Sequence, residues 1–189
     1  AKTPEMIITK RRDYAGNWFV GSDEQTAWTY FLELDGSPGQ SLNAEVYTTS
    51  PTASVYSIGD ANAVNYDTGT FVSYIFHGVE GYSKVGKYTG NVNADGTFAY
   101  LGFRPAMILI KGIGYSSDWH IFDNKRIGYN VANYDLTPSE NVVESTGAVI
   151  DFLSNGFKIR TSAANINSGG NELLYYAIAE SPFKYANAR

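Results

Sequence analysis

The sequence predicts an all-β protein, an antiparallel sandwich or barrel built from two related, pseudo-symmetric halves. Three observations predict it. Short runs rich in β-branched and aromatic residues recur along the chain. Gly, Asn and Asp separate them, and no amphipathic helix pattern competes. The opening of the chain also recurs 101 residues later: Pro4, Met6, Ile7, Lys10, Tyr14 and Trp18 match Pro105, Met107, Ile108, Lys111, Tyr115 and Trp119.

In chain order, Met6-Ile7-Ile8 reads as a buried strand led by a proline, where no ladder N–H is required. Trp18-Phe19-Val20 is its hairpin partner. The residues Thr70 to Phe76 form a further strand. Lys84 to Arg104 links the halves and reads as a hairpin turning at Asp95-Gly96. Met107-Ile108-Leu109-Ile110 and Trp119-His120-Ile121-Phe122 repeat the opening hairpin. Asn155-Gly156, between two apolar runs, predicts a type I′ turn with positive φ at both central positions. Glu172 to Ala179 could pass for a helix by propensity; its match to the strand around Tyr74 makes it a strand. Val64-Asn65 pairs with Ile166-Asn167 at an offset of 102, and Asp35 and Pro38 with Asp135 and Pro138 at 100. The expected organisation is residues 1–83, a linking hairpin at 84–104, and residues 105–189, with the two halves packed as one unit because each alone buries a marginal core.

Composition narrows the function. The 189 residues carry 14 Lys and Arg against 19 Asp and Glu, with no Cys and two His. Zinc–thiolate sites, Fe–S clusters and cysteine nucleophiles are excluded. A net charge of −5 argues against nucleic acid as a partner. No apolar run is long enough for a membrane helix, so no membrane insertion is expected. The opening Ala-Lys-Thr-Pro-Glu has neither signal-peptide form nor initiator Met, which predicts a piece of a longer chain.

Gly81 to Lys87 fits the phosphate-loop spacing, but Tyr88 stands where Ser or Thr would bind Mg²⁺, and no helix follows. His77 and His120 have no metal-ligand spacing, so no metal or cofactor is expected. His120 matches Phe19, which reads as packing. Carboxylates are plentiful, and a glycosidase pair is a matter of three-dimensional separation. Aromatic residues beside polar ones are more informative, because a ring covers sugar C–H surface while amides and carboxylates bond hydroxyls. The repeat-matched Trp18 and Trp119 read as core. The candidate ligand-binding residues are Trp28, Tyr30, Asp123, Asn124, Arg126, Tyr129 and Tyr134, in the loops that follow.

The second half resembles a family of bacteriophage virion proteins common in tailed, often marine, phages. The residues that carry the resemblance are Lys87-Tyr88-Thr89-Gly90-Asn91, Asp95-Gly96-Thr97, the run from Leu101 to Lys111, and the run from Trp119 to Arg126. Residues 150–158 and 179–189 resemble that family's C-terminal end. Gly112-Ile113-Gly114 departs from its usual charged turn. The resemblance implies a tail-associated or receptor-binding module of a virion, without a catalytic motif. Its expected partners are a host cell-surface glycan or protein, other virion proteins, and further copies of itself, as in a trimer. A purely structural tail or head decoration domain is the alternative, and a polysaccharide-degrading enzyme the second.

Overall fold

The computed structural model describes residues 2–182. Ala1 and residues 183–189, the last of which carry part of the C-terminal resemblance, lie outside the described residues. The protein is all-β, with antiparallel sheets stacked in layers. The first sheet has the order β4–β3–β2–β1–β5, from β1 (Met6–Arg11), β2 (Phe19–Ser22), β3 (Tyr30–Glu33), β4 (Ser41–Leu42) and β5 (Phe71–Phe76). The second has the order β6–β12–β8–β9, from β6 (Ser83–Thr89), β8 (Pro105–Gly112), β9 (Trp119–Asp123) and β12 (Glu172–Ala179). A third, smaller sheet orders β10 (Ile150–Leu153), β11 (Gly156–Ile159) and β7 (Phe98–Tyr100) as β10–β11–β7. The one-turn helices α1 (Asn62–Asn65) and α2 (Ala164–Asn167) precede β5 and β12. No helix among the described residues is long and apolar enough to cross a membrane.

At the matched positions the strand registers correspond. Ile8 pairs with Val20, and Leu109 with Ile121. Ile7 pairs with Ile75, and Ile108 with Ala177. Each pair becomes the other at offsets of 101 and 102, so β2–β1–β5 and β9–β8–β12 share one pairing pattern. The helices follow the same rule. Val64 and Ile166 are buried on them, and Asn65 and Asn167 donate from Nδ2 to the carbonyls of Gly59 and Thr161.

Strand alternation then assigns the faces. Met6, Ile8 and Val20 point to the same core as Leu109, Trp119, Leu174 and Tyr176, with Met107 and Ile121 against it. The two large sheets therefore pack through matching faces. On the outer face of the first sheet, Ile7 and Phe19 pack with Trp28, Val46, Tyr47 and Val64. On the outer face of the second, Ile108, Ile110 and Phe122 meet the third sheet through Phe152 and Phe157. The end of β3 and the loop after it reach the second half: Trp119 Nε1 donates to Glu33 O at 2.6 Å, and Lys111 Nζ to Ser37 O at 3.2 Å.

Two expectations are corrected. The linking segment is not a hairpin, because β6 pairs with β12 and β7 with β11, in different sheets. The crossing loop between them is held by Asn167, which accepts from Asn91 N and donates to Asn93 O. Residues 84–104 are thus part of the second half rather than a spacer. The β10–β11 turn is also differently built: Leu153 pairs with Gly156, so Ser154 and Asn155 are the central residues. The left-handed residues lie elsewhere, at Thr68, Val92, Gly81, Gly102, Gly128 and Gly170. Gly156 serves closeness instead, since a Cβ there would stand 2.1 Å from Ala99 O on β7.

Candidate functional site: an aromatic–guanidinium cavity

Arg11 ends β1 and lies beside α1. Lys10 Nζ donates to Arg11 O at 2.6 Å and to Tyr14 O at 3.0 Å, which curls the turn between β1 and β2. The Arg11 guanidinium sits over the Tyr66 ring at 4.0 Å and over the Tyr14 ring at 5.3 Å. Its Nε and Nη2 donate to the two oxygens of Asp13 at 2.9 and 3.3 Å. Nη1 reaches Asn62 O on α1 at 3.4 Å. The planar fork and the stacked rings suit arginine and would not suit lysine. The Arg11 hydrogen bond holds the Asp13 carboxyl down at about 2. The pair is therefore charged on both sides and neutral in sum at any ordinary pH.

Tyr14 and Tyr66 are 63% and 44% exposed. Arg11, Tyr14, Asn62, Ala63 and Tyr66 line a cavity of about 460 Å³, within the size range of small-ligand sites. Two aromatic rings, a guanidinium braced from behind by Asp13, and the polar backbone and side chain of Asn62 together offer apolar contact with both donors and acceptors.

The sequence-derived candidates are not assembled into one site. Trp28 is corrected from a surface ring to a core residue: it is 4% exposed and packs edge-on against Tyr47. Its Nε1 donates to Asp23 Oδ1 at 2.5 Å, which satisfies the buried indole. Gly21 lets both rings lie on β2, since a Cβ there would meet Trp28 and Tyr47 under 3 Å. Tyr30 is half-buried at the start of β3 and pairs with Leu42 of β4. Both belong to the first half.

Asp123, Asn124 and Arg126 form a loop brace. Asp123 accepts from the amides of Lys125 and Arg126 and from Arg126 Nε. Burial pushes its pKa up, but those bonds outweigh it and leave the carboxyl below its usual range. Arg126 also bridges to Glu144 at 2.6 Å and to Ile121 O at 2.8 Å. Asn124 is corrected from a ligand group to a buried one, 7% exposed, with Nδ2 toward Pro105 O. Tyr129 and Tyr134 are exposed, at 74% and 40%. They stand among Val131, Leu136, Val142 and Val143, which are exposed as well.

His120 is buried, in keeping with a packing position. Its Nδ1 contacts Asp135 Oδ2 at 2.6 Å, and its Nε2 faces Asn165 Nδ2 at 3.3 Å. With Nδ1 donating to the carboxylate, Nε2 accepts from the amide, so the nitrogen that a nucleophile would need is occupied. The trio joins β9 to the β9–β10 loop and to α2. Among the described residues, no group of three or more His, Asp or Glu could hold a metal ion.

Sequence reasoning missed Arg11, Tyr14 and Tyr66. The signal was present: Tyr14 matches Tyr115 across the halves, whereas Arg11 aligns with Gly112 and Tyr66 with Ser168. A shared pattern interrupted at neighbouring positions marks where the halves diverge in use.

The fold and the cavity together define the class, an all-β layered sandwich with an open aromatic pocket at one edge. Within that class, the chain belongs to the family described as Domain of unknown function (DUF7483), which matches residues 1–182. No curated protein and no solved structure matches it.

Proposed function

We propose that the protein is a non-enzymatic, tail-associated module of a phage virion that recognises a host-surface glycan. The cavity between Tyr14, Arg11 and Tyr66 carries this reading, because it combines exposed aromatic faces with fixed polar groups. The resemblance of the second half to virion proteins supports the setting. The occupied Nε2 of His120 supports the non-enzymatic side. Weak binding at one cavity becomes useful when an oligomer, such as a trimer, presents several copies. A glycan array and a host-cell binding assay with the oligomeric protein test the reading. Binding is expected, and Arg11→Ala is expected to weaken it by at least about tenfold, the scale of one desolvated cation–π contact and its hydrogen bonds. Folded oligomer that binds neither array nor cells overturns it.

One observation favours a second reading, a purely structural tail or head component. Tyr129, Val131, Leu136, Val142 and Val143 are exposed on the loops between β9 and β10, and aromatic and apolar side chains are enriched at protein interfaces. Electron microscopy of labelled virions distinguishes the two readings: a tail-tube or capsid position favours the structural one.

A further inference from the structure

We propose that the Arg11–Tyr14–Tyr66 cavity takes a neutral pyranose ring, and that Tyr115 of the second half is a built-in analogue of that ligand. The inference rests on the glycan reading and deepens it. In the second half, the Tyr115 ring lies directly on Gly112: a Cβ there would be 2.6 Å from two of its ring carbons. Its hydroxyl donates to Ala164 O at 3.0 Å and to Asn165 O at 3.3 Å. The site is thus closed by a six-membered ring bearing a hydroxyl.

The first half presents the counterpart of each of these groups. Asn62 and Ala63 stand where Ala164 and Asn165 stand, Tyr14 where Tyr115 stands, and Arg11 where Gly112 stands. Arg11 prevents Tyr14 from lying down as Tyr115 does, because a side chain at that position would collide with the ring. Tyr14 is turned out to solvent and the cavity is left open. A pyranose resembles the missing ring in size, puts C–H surface against Tyr14 and Tyr66, and supplies hydroxyls to the carbonyls of α1. Asp13 already matches the charge of Arg11. The cavity lining therefore offers an acidic sugar no unpaired cation and an amino sugar no unpaired anion, which selects a neutral ring.

The test is an amide NMR titration of the whole protein with methyl glucoside, galactoside and mannoside, and with methyl glucuronide as the acidic probe. At least one neutral pyranoside is expected to shift the signals of Arg11, Tyr14, Ala63 and Tyr66, with millimolar affinity. Tyr66→Ala is expected to weaken it at least about tenfold, the size of a lost aromatic contact, whereas Tyr100→Ala, at an exposed ring on β7, leaves it unchanged. Asp13→Asn, which keeps the shape and frees the cation, is expected to turn the preference toward the glucuronide. No shift by any neutral pyranoside, or tighter binding of the glucuronide by the unaltered protein, overturns the inference. If pyranosides bind here but the oligomer ignores host cells, the inference stands and the host reading falls. If pyranosides bind here but host cells are bound equally well by Tyr66→Ala, the inference stands and the host reading moves to another surface.

Discussion

Lys111 is a cation with no exposed surface, held by the carbonyls of Ser37 and Gly112. Its counterpart Lys10 makes the same bond to the next residue's carbonyl but reaches the surface. Burial pushes the Lys111 ammonium down to about 8, with Asp118 acting in the opposite direction. The unfolded chain therefore binds more protons than the native one between about pH 8 and 10.5, and stability rises across that window. The full gain is about 3 kcal/mol, because each tenfold difference in proton affinity between the two states is worth about 1.4 kcal/mol. Buried and half-buried tyrosines oppose it higher up: burial raises Tyr115 and Tyr175 to about 12 and Tyr88 well above its usual value. These groups ionise first in the unfolded chain, so stability falls again above about pH 10. Urea unfolding between pH 7 and 11 checks the maximum, and Lys111→Met is expected to abolish the rise. The lysine was legible as a repeat-matched residue, but its burial was not. It depends on the loop after β3, which arrives from the other half. The site behaves likewise. Tyr129 and Tyr134 were legible as exposed rings, whereas the burial of Trp28 was not, because its partner Asp23 and its cover Tyr47 are brought to it by the fold.

Among the elements, β11 shows how a glycine can fix a sheet without fixing a turn. Gly156 lets β7 approach β11, with Ala99 O in the space a methyl group would need. Gly156→Ala is expected to destabilise the protein by about 1–3 kcal/mol, the usual cost of overpacking. Gly114→Ala, where nothing lies within 4 Å of an added Cβ, is expected to stay within about 0.5 kcal/mol. Thermal unfolding of both variants compares them. The Asn155-Gly156 pair announced a hairpin correctly, but its register was shifted by one residue because the third strand, not the turn, dictates where the glycine falls. β1, β2, β8 and β9 were legible because Pro, Lys and Trp recur in step. β12 was legible only through its match to β5, since Leu and Ala favour helix. The partners of β6 and β7 were not legible, as nothing local tells Val85 and Tyr88 that their neighbours lie near residue 175 rather than residue 98.

At the scale of the molecule, Met6, Ile8, Val20 and Leu32 share one core with Leu109, Trp119, Leu174 and Tyr176 of the second half. A fragment of residues 1–83 therefore exposes half of a core. It is expected to fail to fold as a monomer, and circular dichroism with size-exclusion chromatography checks this; a stable, cooperatively folded monomer would contradict the shared core. The central place of β12 has one more consequence. It lies between β6 and β8, yet of the described strands it is the last to be synthesised. Until the ribosome has passed Ala179, both neighbours present unpaired edges, and strands with open edges are templates for aggregation. A nascent chain stalled before Glu172 is thus exposed with eleven of the twelve described strands already made, and its safety depends on prompt resumption of synthesis or on a chaperone that covers those edges.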